Sequence, residues 1–172
     1  NSLPSDRLSM LHVDRGGTLW VGSFDRGLAR FDGDAAGFMH FAPGSADDGA
    51  LSNADVRAIF DDGSGRLWVG TADGLNLLDR STGRFSRFVQ DPADVTTLRD
   101  NYVMSLYQDR TGLLWVGTRA GGVSRWNPRS WAFGHHQPQL LLQSYAMAFA
   151  DDAAGRLWVG THGAGLLRVD PD

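Results

Sequence analysis

The sequence predicts an all-β fold made of β-propeller blades, and three observations support this. The string LWVG occurs four times in 172 residues, with tryptophans at Trp20, Trp68, Trp115 and Trp158, at intervals of 48, 47 and 43 residues. Glycine occurs 22 times, which favours many tight turns between short strands. No stretch has the 3.6-residue apolar period of an amphipathic helix. A four-stranded repeat of this length cannot bury both sheet faces alone, so radial stacking of sheets is expected.

Each repeat is predicted to contain four strands, A to D. In the second copy these are VRAIFD, LWVGT, LNLLD and FSRFV, which begin at Val56, Leu67, Leu75 and Phe85. The pattern D-x-x-G-x-L-W joins A to B. Its aspartate is expected to cap the turn with its side chain, and its glycine to supply a positive φ. The repeat tryptophans are interpreted as packing residues.

The repeats divide the chain into a single propeller segment of about four blades, 3–50, 51–97, 98–140 and 141–172. The last blade is expected to be incomplete, because its sequence stops after strand C. Three arrangements are open: part of a larger propeller, a closed four-bladed ring, and two chains that complete one ring. The first is favoured, because an open array exposes sheet edges and apolar faces.

Composition excludes several classes of function. The formal net charge is −4, whereas a nucleic-acid-binding domain is expected to have a pI above about 9. The absence of cysteine excludes disulfides and cysteine zinc sites. No apolar run reaches the roughly 18 residues of a membrane-spanning helix. We therefore expect no nucleic-acid partner and no membrane insertion by this segment.

The glycine-rich string GTRAGG, which begins at Gly117, has two interpretations. A phosphate-binding loop lies between a strand and a helix, so that backbone amides and the helix dipole face the anion. Here a strand pattern, GVSRW, follows from Gly122. The string is therefore predicted to be the turn between strands B and C, and no cofactor is expected.

Positions that vary between the copies are free of the structural demands of a blade and are candidates for ligand binding. They lie in the B–C turn and just ahead of strand A, on the face where propellers commonly bind ligands. Aromatic rings and bidentate polar groups there suit a sugar or a carboxylate. The predicted ligand-binding residues are Asp25, Arg26, Asp73, Tyr102, Arg119, Tyr145 and His162.

Neither a metal site nor a catalytic residue is predicted. Each D-x-x-G turn supplies mainly one carboxylate, and the EF-hand pattern is absent. His135 and His136 are adjacent in a strand and point to opposite faces. No nucleophile elbow or zinc-protease helix occurs. Only fold analogy would give His162 and Arg119 roles in a propeller lyase or hydrolase.

The pattern D-x-x-G-x-LWVGT-x-x-G-L, followed by an F-x-x-F pair and LS-N-x-V, resembles the two-component regulator propeller repeat. Four copies, beginning at Asp14, Asp62, Asp109 and Asp152, cover essentially the whole chain. The resemblance implies a non-catalytic sensor propeller in the periplasmic part of a bacterial inner-membrane receptor. It implies that a kinase or cyclase output lies elsewhere in that receptor. Propellers of this family usually have seven blades, so four copies fall short of a ring.

The resemblance also implies the partners. They are an unknown small-molecule or oligosaccharide ligand and the rest of the receptor ectodomain, and a homo-oligomer remains open. Two other functions stay open beside the sensor, namely a protein-interaction scaffold and a propeller lyase or hydrolase.

Overall fold

The computed structural model describes residues 2–34, 37–44, 49–136 and 144–169. The regular secondary structure of these residues consists of β-strands. Blade 1 contains β1 (Leu8–Val13), β2 (Leu19–Ser23), β3 (Leu28–Asp32) and β4 (Gly37–Phe41). Blade 2 contains β5 (Val56–Asp61), β6 (Leu67–Thr71), β7 (Gly74–Asp79) and β8 (Arg84–Phe88). Blade 3 contains β9 (Val103–Gln108), β10 (Leu114–Thr118), β11 (Val123–Asn127) and β12 (Ala132–His136). Blade 4 contains β13 (Tyr145–Asp151), β14 (Leu157–His162) and β15 (Leu166–Val169).

Each blade is an antiparallel sheet whose strands lie side by side in chain order. The predicted all-β blade architecture is therefore confirmed. Within the described residues the fourth sheet has three strands, as expected for the last repeat. The predicted boundary at 140/141 lies outside the described residues, and the limits of the repeats stay predictions. No helix in the described part has the length and apolarity needed to cross a bilayer.

The D-x-x-G turn is built as predicted. The Asp14 carboxylate accepts a hydrogen bond from the Thr18 backbone N–H at 2.9 Å, and Gly17 has a φ of 82°. The structure adds a bond from the Trp20 indole, whose Nε1–H donates to the same carboxylate at 2.8 Å. This bond recurs in the other blades, as Trp68–Asp62 at 3.2 Å, Trp115–Asp109 at 2.7 Å and Trp158–Asp152 at 3.0 Å. Each repeat tryptophan therefore packs and also fixes the turn before it.

The glycine of LWVG lets neighbouring blades approach closely. A Cβ placed on Gly22 would lie 2.8 Å from a methyl carbon of Val56 in blade 2. A Cβ on Gly117 would lie 2.6 Å from the Ala146 carbonyl oxygen in blade 4. Real Cβ atoms essentially never come this close. Strand A of one blade therefore packs against the glycine of the preceding one.

The chain divides into two compact units, residues 1–88 and 89–172. The first unit contains blades 1 and 2, and the second contains blades 3 and 4. Each unit has an apolar core to which both of its blades contribute. Core residues of the first unit are Trp20, Leu28, Leu51, Val56, Ile59, Leu67, Val69, Leu78 and Phe85. Core residues of the second are Trp115, Val123, Ala146, Leu157, Val159 and Val169.

Candidate functional site

In every blade the start of strand A and the B–C turn meet at one end of the sheet, which we call the loop end. In blade 3 the Arg119 backbone N–H donates to the Tyr102 carbonyl at 2.9 Å. In blade 4 Tyr145 pairs with His162 across β13 and β14. The prediction put these two residues in connections, but their pairing makes them the first residue of β13 and the last of β14. The sequence positions that vary therefore lie opposite one another.

Four of the seven predicted site residues come together in the second unit. The Arg119 guanidinium lies 5.2 Å from the ring centroid of Tyr102 and 5.5 Å from that of Tyr145. The ring of His162 stacks on Tyr145, with centroids 5.5 Å apart and an interplanar angle of 21°. We call Tyr102, Arg119, Tyr145 and His162 the loop-end cluster. It joins blade 3 to blade 4, because Arg119 comes from one and Tyr145 from the other.

The cluster carries an exposed positive charge. A hydrogen bond with the Tyr145 side chain raises the pKa of Arg119, and the negative charge of Asp100 also contributes. Arg119 and His162 are exposed, whereas the two tyrosines are half-buried. Among the described residues, no carboxylate lies within ion-pair distance of Arg119. Its cation is therefore held by aromatic rings and remains open to an anionic or hydroxyl-bearing group.

Asp100 shapes the cluster and was not predicted. One of its carboxylate oxygens accepts the Ala120 N–H at 2.6 Å, and the other accepts the Tyr102 N–H at 3.1 Å. Ser5 and Asn53 occupy the same position in blades 1 and 2 and accept the equivalent backbone N–H at 2.9 Å each. The repeated Ser, Asn and Asp ahead of strand A is a turn signal in the sequence that could have identified this position.

The other three predicted site residues lie in the first unit, in exposed B–C turns. Asp25 accepts a hydrogen bond from the Ser5 hydroxyl at 2.6 Å. The backbone N–H of Arg26 donates to Ser23 Oγ at 2.9 Å, and that of Asp73 donates to Thr71 Oγ1 at 3.1 Å. These contacts build the turns. The loop-end cluster does not include these residues.

A different pair lies at the equivalent place in the first unit. The Arg57 guanidinium lies 4.7 Å from the ring centroid of Phe24, and its Nε lies 2.7 Å from an oxygen of Asp55. Arg57 was missed because it occupies a β-bulge in β5, between Val56 and Ala58, where the register shifts. Side chains alternate between the two faces of a regular strand, and a bulge interrupts this alternation. The sequence pattern therefore did not predict that the Arg57 side chain reaches the neighbouring turn.

Within the described residues there is no group of three or more histidine, aspartate or glutamate side chains that could hold a metal ion. The loop-end cluster offers ring faces, hydrogen-bonding groups and the charge of Arg119.

Comparison with a family model matches two segments of the chain. Residues 50–73 and 97–120 match the two-component regulator propeller model, which confirms the resemblance. These two segments include strands A and B of blades 2 and 3. No curated protein matches the chain in sequence.

The solved structures confirm the fold. The extracellular domain of a hybrid two-component system from B. thetaiotaomicron matches with a TM-score of 0.87 and 21% identity, over 98% of this chain and 24% of that one. A second such domain from the same organism matches with a TM-score of 0.77 and 21% identity, over 98% and 23%. Virginiamycin B lyase from Staphylococcus aureus matches with a TM-score of 0.67 and 11% identity, over 97% and 57%. The chain thus spans about a quarter of the two receptor ectodomains.

Proposed function

We propose that the chain is part of the sensor propeller of a bacterial membrane receptor, because residues 50–73 and 97–120 match the two-component regulator propeller model. Its place would then be extracytoplasmic, in the periplasm, and the rest of the receptor ectodomain would be its partner. The likeness to extracellular domains of hybrid two-component systems supports this proposal. The role is recognition without catalysis, and the output domain lies elsewhere in the receptor.

The observation that carries the proposal is the loop-end cluster. Arg119 presents a cation between two tyrosine rings, with the His162 ring stacked beside them. Aromatic faces pack against the apolar face of a sugar ring, and a guanidinium donates paired hydrogen bonds to hydroxyl or carboxylate oxygens. We therefore infer that the ligand is hydroxyl-rich, and an oligosaccharide is the class to test first.

The cluster also offers a way to transmit binding. Arg119 belongs to blade 3 and Tyr145 to blade 4, so a ligand that engages both changes how these two blades contact each other. A ligand shifts a conformational equilibrium only by its difference in affinity for the two states. Closer contact of the two blades in the bound state would shift the conformational equilibrium of the receptor toward that state. The same shift would act on any receptor dimer that is linked through the membrane.

The test is a thermal unfolding screen with neutral and uronate-containing oligosaccharides. A binding ligand raises the unfolding temperature of the wild type and does so less in Arg119→Ala, because the cation is lost. Arg129→Ala is the matched control, since Arg129 is also exposed but lies in the C–D turn, at the opposite end of blade 3. Equal stabilisation of wild type and Arg119→Ala would contradict the assignment of the site.

A protein-interaction scaffold is the second candidate, and exposed apolar side chains of blade 1 favour it. Leu11 and Val13 are each 63% exposed on β1, and Leu8 and Phe31 are also exposed. Exposed apolar patches of this kind often mark protein contacts. Light scattering over a concentration series tests it, because self-association through this face should fall in Leu11→Glu. The lyase or hydrolase alternative would instead require turnover that His162→Ala abolishes.

A further inference from the structure

At the opposite end of the blades, which we call the turn end, one arginine joins two aspartates from neighbouring blades. In the first unit Arg80 Nη1 lies 2.6 Å from an oxygen of Asp14 in blade 1, and Nη2 lies 3.0 Å from an oxygen of Asp61 in blade 2. Its Nε–H donates to the Gly65 carbonyl at 3.0 Å. The guanidinium also lies 5.8 Å from the ring centroid of Trp20. All three nitrogens of the fork thus have an acceptor.

The second unit has the same acceptors at the same repeat positions. Asp109, Asp151 and Gly155 correspond to Asp14, Asp61 and Gly65. They line a groove of about 230 Å³ together with Arg110, Thr111, Trp115, Leu157 and Val169. A single water needs only about 10–15 Å³, so the groove has room for a larger group. We call it the turn-end groove.

Among the described residues of the fourth repeat, no arginine lies within ion-pair distance of Asp109 or Asp151. At the position of Arg80 the fourth repeat has Pro171, which carries no cation and lies outside the described residues.

The turn aspartates of the four blades also differ in whether a described arginine forms an ion pair with them. Three of the four have a guanidinium partner, Asp14 with Arg80 at 2.6 Å, Asp62 with Arg66 at 3.8 Å and Asp152 with Arg156 at 2.7 Å. Asp109 has Leu113 where Asp62 and Asp152 have their arginine. Among the described residues no arginine is within ion-pair distance of Asp109. Its Oδ2 accepts the Trp115 indole N–H at 2.7 Å, as Asp14 does from Trp20.

Arg110 neutralises only part of the negative charge of the turn-end groove. Its Nε lies 4.0 Å from an oxygen of Asp151, and its side chain is 63% exposed. Because Arg110 is exposed and the distance is long, the pair contributes little even though the Asp151 side chain is only 6% exposed. Two carboxylates and a single loosely placed cation leave the groove with one uncompensated negative charge.

We propose that the turn-end groove binds the guanidinium of an arginine side chain presented by another polypeptide segment. The occupied copy in the first unit defines the geometry: two N–H groups to two carboxylates and a third to a carbonyl. Leu157, Val169 and Trp115 provide an apolar wall for the methylene stem. Lysine carries the same charge but cannot form the planar fork, so the groove prefers arginine. This site is separate from the loop-end cluster and does not depend on it.

The test is a titration with N-acetyl-arginine methylamide, followed by calorimetry and by the indole N–H resonance of Trp115. That resonance is identified by its absence in Trp115→Phe. The arginine probe should bind saturably and shift the resonance, because the indole N–H shares Asp109 with the guanidinium. The lysine analogue should bind at least tenfold more weakly, and the neutral citrulline analogue should leave the resonance unmoved. Equal shifts with arginine and citrulline would overturn the proposal.

Variants locate the site. Asp109→Asn and Asp151→Asn should each weaken binding at least tenfold while the unfolding transition stays cooperative. Arg110→Ala should bind the probe more tightly, because a competing cation is removed. Arg80→Ala vacates the equivalent acceptors in the first unit and should add a second equivalent of bound probe. Undiminished binding in either aspartate variant that still unfolds cooperatively would overturn the proposal.

A final arm separates a polypeptide partner from a small guanidinium compound. Ethylguanidinium should bind at least tenfold more weakly than an arginine-containing tripeptide, since it lacks most of the methylene stem and the backbone. Equal affinities would contradict the assignment to a polypeptide segment.

Discussion

The two units repeat the same junction between neighbouring blades but place their charges differently. At the loop end of the first unit, blade 1 supplies a ring, Phe24, and blade 2 supplies the cation, Arg57. In the second unit the roles are exchanged, because blade 3 supplies the cation, Arg119, and blade 4 supplies the ring, Tyr145. Asp55 balances Arg57 at 2.7 Å, whereas tyrosines flank Arg119.

The turn end shows the same division between a constant frame and variable charge. In each unit the turn aspartate of one blade lies near a second aspartate from the next blade. Among the described residues, an arginine forms ion pairs with both aspartates only in the first unit, where Arg80 contacts Asp14 and Asp61. The repeated residues thus fix where side chains of neighbouring blades meet, and the variable residues decide which charges lie there. The second unit carries the uncompensated charge at both ends of its blades.

Replacing the glycine of LWVG should break both junctions and have the largest effect. Gly22→Ala and Gly117→Ala would each force the next blade outward, and we expect a loss of about 1–3 kcal/mol of unfolding free energy. Gly160→Ala in blade 4 is the control, because a Cβ there would meet its nearest atom at 3.8 Å, an ordinary contact. Chemical denaturation measures all three, and an equal loss in Gly160→Ala would show that crowding at the junction is not the cause.

Removing Arg80 should destabilise the first unit by a similar or smaller amount. Asp14 and Asp61 have side chains only 0% and 6% exposed, and loss of their shared cation leaves two buried carboxylates close together. We expect Arg80→Ala to cost about 1–3 kcal/mol. Arg110→Ala is the matched change in the second unit and should cost little, because Arg110 is exposed. Similar losses for the two variants would contradict the difference between the units.

The acid dependence of stability should be weaker once Arg80 is removed. Burial alone would raise the pKa of Asp14, but hydrogen bonds from Trp20, Arg80 and Thr18 outweigh it and lower the pKa to about 2. A depressed pKa in the folded state gives stability that is present above the unfolded value, near 4, and is lost as pH falls toward 2. Asp14 should contribute up to about 2 kcal/mol over this range. Unfolding of wild type and Arg80→Ala between pH 5 and 2 measures it, and equal slopes would contradict this role.

The sequence was sufficient for the frame and for part of the site. Repeated LWVG and D-x-x-G strings predict the strands and turns, because each copy faces the same packing demands. Variation between the copies identified all four members of the loop-end cluster. It could not show which of the seven predicted residues contact one another, since side-chain contacts such as those of Arg119 with Tyr102 and Tyr145 are not encoded in turn position. It also missed Arg57 and Arg80, which reach a neighbouring blade from a bulge and from a C–D turn.

The most direct test is a calorimetric titration of the strongest-binding oligosaccharide from the screen into wild type, Arg119→Ala and Arg57→Ala. If the loop-end cluster of the second unit is the ligand site, Arg119→Ala should lose at least tenfold in affinity. Arg57→Ala should bind like the wild type, because its cation is already paired with Asp55. Unchanged affinity in Arg119→Ala, or a panel from which nothing binds the wild type, would contradict the proposed sensor site.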